Sequence, residues 1–91
     1  MSNSTSISGV VTTTSGEVLP GALITIESAS LPSPRTTVTN PSGHYRFVEI
    51  LPGEYVVNAS MTGFNPQQRR NVLVRIDQSV TVDFQLSLET S

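Results

Sequence analysis

Gly43-His44-Tyr45-Arg46-Phe47-Val48-Glu49-Ile50-Leu51-Pro52-Gly53-Glu54-Tyr55-Val56-Val57-Asn58-Ala59 decides the fold of this 91-residue chain. On both sides of Leu51-Pro52-Gly53 the side chains alternate. Tyr45 and Phe47 share one parity against His44 and Arg46, and Tyr55, Val57 and Ala59 share one parity against Glu54, Val56 and Asn58. A period of two in aromatic and β-branched residues predicts strands with one buried face. Asn40-Pro41-Ser42-Gly43, just upstream, fits a type I turn, with Asn at the first position, Pro at the second and Gly at the fourth.

Outward from this stretch the same pattern continues, with turn residues every 8–12 positions, the spacing expected of an all-β sandwich. Ile7-Ser8-Gly9-Val10-Val11 reads as a first strand, and Leu19-Pro20-Gly21-Ala22 as a type II turn with Pro20 second and Gly21 third. That turn feeds a strand with Ala22, Ile24 and Ile26 on one face. Pro52-Gly53 repeats the wording of Pro20-Gly21 and is read as the same turn chemistry, not as an internal repeat. Residues 28–34 are a loop, 36–39 a short Thr-rich edge strand, and Gly63-Phe64-Asn65-Pro66 a loop whose Phe64 plugs one end of the core.

Farther on, Val72, Val74 and Ile76 share a parity, as do Val80, Val82, Phe84, Leu86 and Leu88. These segments read as the last hairpin, and an odd loop of Asp77-Gln78-Ser79 keeps both apolar sets on one face, pairing Ile76 with Val80 and Val74 with Val82. Arg75 then lies diagonal to Asp83, within reach of a surface ion pair. The fold class that results is all-β: a seven-stranded Greek-key-type β-sandwich, prealbumin-like or Ig-like, with no helix of consequence. Its expected core holds Tyr45, Phe47, Tyr55, Val57, Val74, Val82 and Phe84. Residues 1–5 are expected to be a disordered tail, 6–88 the sandwich, and 89–91 a tail or the start of a linker.

Composition narrows the chemistry. The chain has 24 Ser and Thr, five Arg, one His and neither Lys nor Cys. Without Cys there is no disulfide scaffold, zinc ribbon or thiol nucleophile, and one His cannot build a multi-histidine zinc site. A net charge of −2 argues against nucleic acid and anionic membranes. An 18-residue apolar run is lacking, so direct membrane insertion through a helix is not expected. A secretory leader is not legible either, since the first basic side chain is Arg35. Two readings stay open: a cytoplasmic protein, or a domain of a longer exported chain to which Met1 was added. The acids Glu49, Glu54, Asp77 and Asp83 form no D-x-D cluster for Ca²⁺. Catalytic, metal and cofactor sites are all expected to be absent.

The residues Gly43-x-Tyr45-x-Phe47-x-x-Ile50-x-Pro52-Gly53-x-Tyr55-x-Val57-x-Ala59-x-x-x-Gly63-Phe64 resemble the carboxypeptidase regulatory-like domain, a transthyretin-like (prealbumin-like) sandwich. The likeness extends to Ile7-Ser8-Gly9-x-Val11, Leu19-Pro20-Gly21-Ala22-x-Ile24 and Val82-Asp83-Phe84-x-Leu86. Within the family these stretches look most like modules at the N-terminus of bacterial TonB-dependent outer-membrane receptors. One departure is Asn40, where the family commonly has Asp. The resemblance implies a non-enzymatic accessory module of an exported protein, serving as spacer, folding support or docking domain. It places the module in the periplasm, outer membrane or cell surface, with other domains of its chain or another surface protein as partners, and as a monomer in isolation. Pilin-type sandwiches of this kind carry Lys–Asn or Lys–Asp isopeptide bonds, which a chain without Lys cannot form. Transthyretin-like hydrolases end in Tyr-Arg-Gly-Ser, whereas this chain ends Leu88-Glu89-Thr90-Ser91. The alternative is a carbohydrate-binding module of starch-binding-like architecture with a glycan partner. Of the five aromatics, Tyr45, Phe47, Tyr55 and Phe84 fall on the inward parity, which leaves Phe64, at a loop, as the one candidate to stack on a sugar, against its reading as a core plug. The candidate interaction surface comprises residues 28–34, 63–70 and 36–39, with Phe64, Arg69, Arg70 and Arg35 as its contact residues.

Overall fold

The computed structural model describes residues 5–29 and 31–89. Eight strands and no helix occur among them: β1 (Ser6–Thr13), β2 (Leu23–Glu27), β3 (Arg35–Val38), β4 (His44–Val48), β5 (Gly53–Ser60), β6 (Gln67–Val74), β7 (Ser79–Thr81) and β8 (Phe84–Leu86). One sheet runs β3-β2-β5-β6, entirely antiparallel. In the other, β1 lies between antiparallel β4 on one side and parallel β7 and β8, end to end, on the other. The inward parity of each strand meets in one core between the sheets. Ile7, Val11, Ile24, Ile26, Tyr45, Phe47, Tyr55, Val57, Ala59, Val74, Val82, Phe84 and Leu86 are all buried there. Tyr45 packs edge-on against Phe47, with ring centroids 6.2 Å apart.

The turns follow their residue chemistry. Gly21 takes φ 78°, which a type II turn demands of its third residue. The buried hydroxyl of Thr39 sits inside this turn. It accepts the Ala22 N–H (2.9 Å) and donates to the Leu19 carbonyl (2.5 Å), bridging the two groups such a turn would otherwise join directly. At Asn40-Pro41-Ser42-Gly43 the Gly43 N–H donates to the Asn40 carbonyl (2.8 Å), and the Asn40 side chain accepts the N–H groups of Ser42 and His44. The two Leu-Pro-Gly segments differ, however. Gly53 is extended beyond any type II value (φ 156°), because it already opens β5 and pairs with Val74. The left-handed residue of that connection is Glu49, at φ 54°.

The last third of the chain departs from the sequence expectation. Segments 72–76 and 80–88 do not form a hairpin. β6 pairs with β5, and residues 75–78 then carry the chain across to the other sheet, where β7 pairs with β1. Alternation fixes which face of a strand is buried, not which strand lies beside it. Two strands facing each other across the core satisfy the same parity as two paired within a sheet. Ile76, expected inside, is therefore 73% exposed at the crossing, and Leu88, beyond β8, is 67% exposed. Arg75 consequently lies in the crossing connection and not on a strand beside Asp83, and the Asp83 carboxylate instead accepts the Val10 N–H (2.9 Å). The expected seventh strand is two strands, giving eight rather than seven, because the ladder breaks at Val82-Asp83. At the chain start, residues 1–4 of the expected tail lie outside the described residues, but Thr5 is fully buried. Its Oγ1 accepts the Asp77 N–H (2.9 Å) and its carbonyl the Ile50 N–H (3.2 Å). At the other end Glu89 donates its N–H to the Gly63 carbonyl (2.9 Å), while residues 90–91 lie outside the described set.

Candidate interaction surface

A two-sheet sandwich that does not close into a barrel has two open sides, and an arginine covers each. On one side Arg35 opens β3, on the inward parity because it pairs with Ile26. Its guanidinium lies 5.7 Å from the Phe47 ring centroid, and its Nη1 donates to the Val48 carbonyl of the opposite sheet (3.2 Å). On the other side Arg69 of β6 lies 5.6 Å from the Phe84 ring centroid, and its Nη2 donates to the Asp83 carbonyl (3.2 Å). In both cases the cation caps an aromatic face that would otherwise meet water, while its charge stays at the surface.

Arg69 reaches that position through a bulge. Between the pairs Tyr55–Val72 and Val57–Arg69, β6 carries one residue more than β5, and Asn71 takes φ 58°. Such an insertion swaps the two faces of the strand. Val72 and Val74 point inward on one side of it, and Arg69 and Gln67 take over the inward parity on the other. Arg70 falls on the outer face instead. Its Nε donates to the Gln68 side chain (2.7 Å), whose amide donates to Asn58 Oδ1 (2.8 Å). The register continues this polar row through Thr25 to Thr36. The side by Arg69 is a shallow groove of about 590 Å³ lined by Arg69, Asp83, Gln67 and Gln85 together with Phe84.

The densest polar arrangement is internal. Gly9 of β1 pairs with Tyr45 of β4, so the Tyr45 ring crosses β1 where β1 has no side chain. Its hydroxyl donates to the Val82 carbonyl on the far side. Val82 donates its N–H to the Ser8 carbonyl (2.8 Å), and Asp83 accepts from Val10 in place of a backbone carbonyl. Here the β7–β8 ladder breaks, and the break supplies the acceptor for the phenol. Burial, reinforced by the nearby Asp83 carboxylate and opposed by Arg69, pushes the Tyr45 phenol well above the usual tyrosine range. Burial also raises the Tyr55 phenol, with Arg35 acting against it. The Tyr55 hydroxyl donates to the Leu51 carbonyl four residues upstream (2.5 Å). Among the described residues no buried side-chain polar atom lacks a partner.

The contact residues expected from sequence are not gathered in one place. Loop 28–34, in which Ser30 lies outside the described residues, follows β2 at the end of the sheet where β5 begins. Phe64 follows β5 at the opposite end, the full eight-residue length of that strand away. There it is half-buried against the core and bridges to Leu88, beside a groove of about 330 Å³ lined with Val18, Leu19 and Leu86. Arg35 and Arg69 occupy the two opposite open sides. Only Arg70 and its polar row form a continuous outward surface. Nothing in the sequence gave the bulge away, although Asn71 is a residue type that tolerates a left-handed backbone. His44 is exposed, and among the described residues no three or more His, Cys, Asp or Glu side chains are grouped to hold a metal ion. Nor is any described helix long and apolar enough to cross a membrane.

Comparison with known proteins agrees with this geometry. The profile of the carboxypeptidase regulatory-like domain matches residues 6–87. The chain is 27% identical over 84 residues to the TonB-dependent transporter Oar of Myxococcus xanthus, a stretch that covers 92% of this chain and 8% of the transporter. Among solved structures, the Bacillus anthracis TIE protein matches with a TM-score of 0.74 at 15% identity, over 96% of this chain and 17% of that one. The minor pilin GBS52 of Streptococcus agalactiae matches at 0.72 and 16% identity, over all of this chain and 48% of the pilin. The chain thus spans a small part of the curated relative and half or less of either structural neighbour.

Proposed function

Because this chain belongs to the carboxypeptidase regulatory-like domain family, we propose that it serves as an in-line spacer in a longer exported bacterial protein. It is a small non-catalytic β-sandwich module, and its partners in this reading are the neighbouring domains of the same chain. The weak likeness to an outer-membrane transporter supports an extracytoplasmic setting ahead of such a transporter's membrane domain. The observation that carries the reading is the path of the chain. Thr5 sits beside Ile50 and Asp77 at one end of a body measuring 46 × 23 × 17 Å, and Glu89 sits beside Gly63 at the other. A chain that enters and leaves at opposite ends of an elongated sandwich separates whatever flanks it by the sandwich's length.

The side chains that could have served chemistry are committed to internal contacts: Arg35 and Arg69 to the open sides, Asp83 to β1, Tyr45 to Val82. Sugar recognition ordinarily uses exposed rings, and four of the five aromatics are buried. A thermal-shift screen against a glycan library tests the reading. The expected result is an unchanged melting temperature for every glycan. A saturable, glycan-dependent rise that disappears in Phe64→Ala would replace the spacer with the carbohydrate-binding alternative.

A further inference from the structure

The strand at the start of the domain and the strands at its end lie side by side and run in the same direction. Ser6, Ile7 and Ser8 of β1 pair with Ser79, Val80 and Thr81 of β7, and Val11, Thr12 and Thr13 pair with Phe84, Gln85 and Leu86 of β8. Across the break the seam stays closed through the Val82 N–H to the Ser8 carbonyl and the Val10 N–H to the Asp83 carboxylate. At its leading end the Ser6 N–H donates to the Gln78 carbonyl (3.0 Å), and the Ser6 and Ser79 hydroxyls are joined (3.1 Å). Tyr45 spans β1 above Gly9 and ties β4 to Val82, so the seam is bolted from the core side as well.

From this register we infer a further function: the domain bears tension along its own chain, with the β1–β7/β8 seam as a shear clamp. Pull on the chain before Thr5 and after Glu89. The two forces act at opposite ends of the long axis. They draw β1 one way and β7–β8 the other, parallel to the strands and perpendicular to the hydrogen bonds. All the bonds of the seam must then give together. Had β1 and the last strand been antiparallel neighbours, both ends would emerge at the same edge and the bonds would open one at a time. Asp83 matters because it bridges the one place where the ladder is interrupted, making two three-residue ladders into a continuous seam. The short pairing of Leu88 and Glu89 with Gly63 and Phe64 lies outside the clamp and peels before it is loaded. The inference deepens the spacer reading and rests on it for its biological setting, but the mechanical property is measurable by itself.

Single-molecule force spectroscopy on the folded domain tests it by comparing two pulling axes. In one, handles are attached at the chain ends. In the other, they are attached at the N-terminus and at a cysteine replacing the exposed Ile76 (Ile76→Cys), at the end where β1 and β7 both begin. The second axis unzips the same seam in a domain with the same core. Pulled through its ends, the domain is expected to unfold at several-fold higher force than along the second axis, releasing about 250 Å of chain. Asp83→Ala is expected to lower the force on the first axis and leave the second nearly unchanged. Equal forces on the two axes would overturn the clamp without touching the spacer reading. A glycan-dependent stabilisation would overturn the spacer without touching the clamp.

Discussion

Gly9→Ala is the substitution in which sequence, packing and stability are most tightly connected. A Cβ built on Gly9 falls 1.9 Å from the Val82 carbonyl oxygen, 2.7 Å from its carbon and 2.9 Å from the Tyr45 hydroxyl. Carbon contacts are comfortable only from about 3.5 Å, so the Val82 peptide has to retreat by about 1.5 Å. That retreat disrupts three hydrogen bonds together: Tyr45 to the Val82 carbonyl, Val82 N–H to Ser8, and Val10 N–H to Asp83. At roughly 1 kcal/mol net for each, plus about 1–3 kcal/mol for a buried phenol without an acceptor, the loss is about 4–6 kcal/mol. The lower chain entropy of Ala in the unfolded state offsets at most about 1 kcal/mol of this. Against the total of about 5–15 kcal/mol typical of a domain, the variant is severely weakened. Urea denaturation followed by circular dichroism should give a loss of at least about 3 kcal/mol, and thermal melting a drop of about 12 °C or more. A loss under 1 kcal/mol with the Tyr45 ring unmoved would refute the claim that Gly9 exists to let Tyr45 cross β1.

Thr39→Val keeps the shape but removes the hydroxyl between the Ala22 N–H and the Leu19 carbonyl, and should cost about 2–3 kcal/mol by chemical denaturation. Asn40→Ala should cost about 1–2 kcal/mol, and Asn40→Asp, which keeps the acceptor of the Ser42 and His44 N–H groups, much less. Stability should stay level from neutral pH to about pH 9 and fall above about pH 10. There the unfolded chain releases its tyrosine protons, while buried Tyr45 and Tyr55 retain theirs, so alkali favours the unfolded state. Tyr45→Phe should lower stability near neutrality yet flatten this alkaline decline, as denaturation at a series of pH values would show.

What the sequence made legible was the face of each strand and the chemistry of most turns. Tyr45, Phe47, Tyr55, Val57, Val74, Val82 and Phe84 all lie on the inward parity and are buried, because a period of two reports directly on which side meets water. Strand partners were not legible. The segment after Val74 satisfies its parity whether it folds back on β6 or crosses to β1, and only the whole sandwich, in which β1 needs a second neighbour, decides between them. The bulge at Asn71 was equally hidden. It reverses the faces of β6 and sends Arg69 rather than Arg70 over Phe84. The same limit applies to the surface, where Arg35, Arg69 and Phe64 looked available by composition. Their partners, Val48, Asp83 and Leu88, lie 13 or more residues away in the chain, beyond the reach of local pattern.

The most direct test of the spacer is replacement of this domain in the full-length protein that carries it. One variant deletes the domain, and another substitutes an unrelated β-sandwich of similar 46 Å length whose chain likewise enters and leaves at opposite ends. The substitute is expected to restore the parent protein's activity and the deletion to impair it, because span matters and surface sequence does not. A substitute as defective as the deletion would contradict that expectation, and would mean that a specific surface of this sandwich is being recognised.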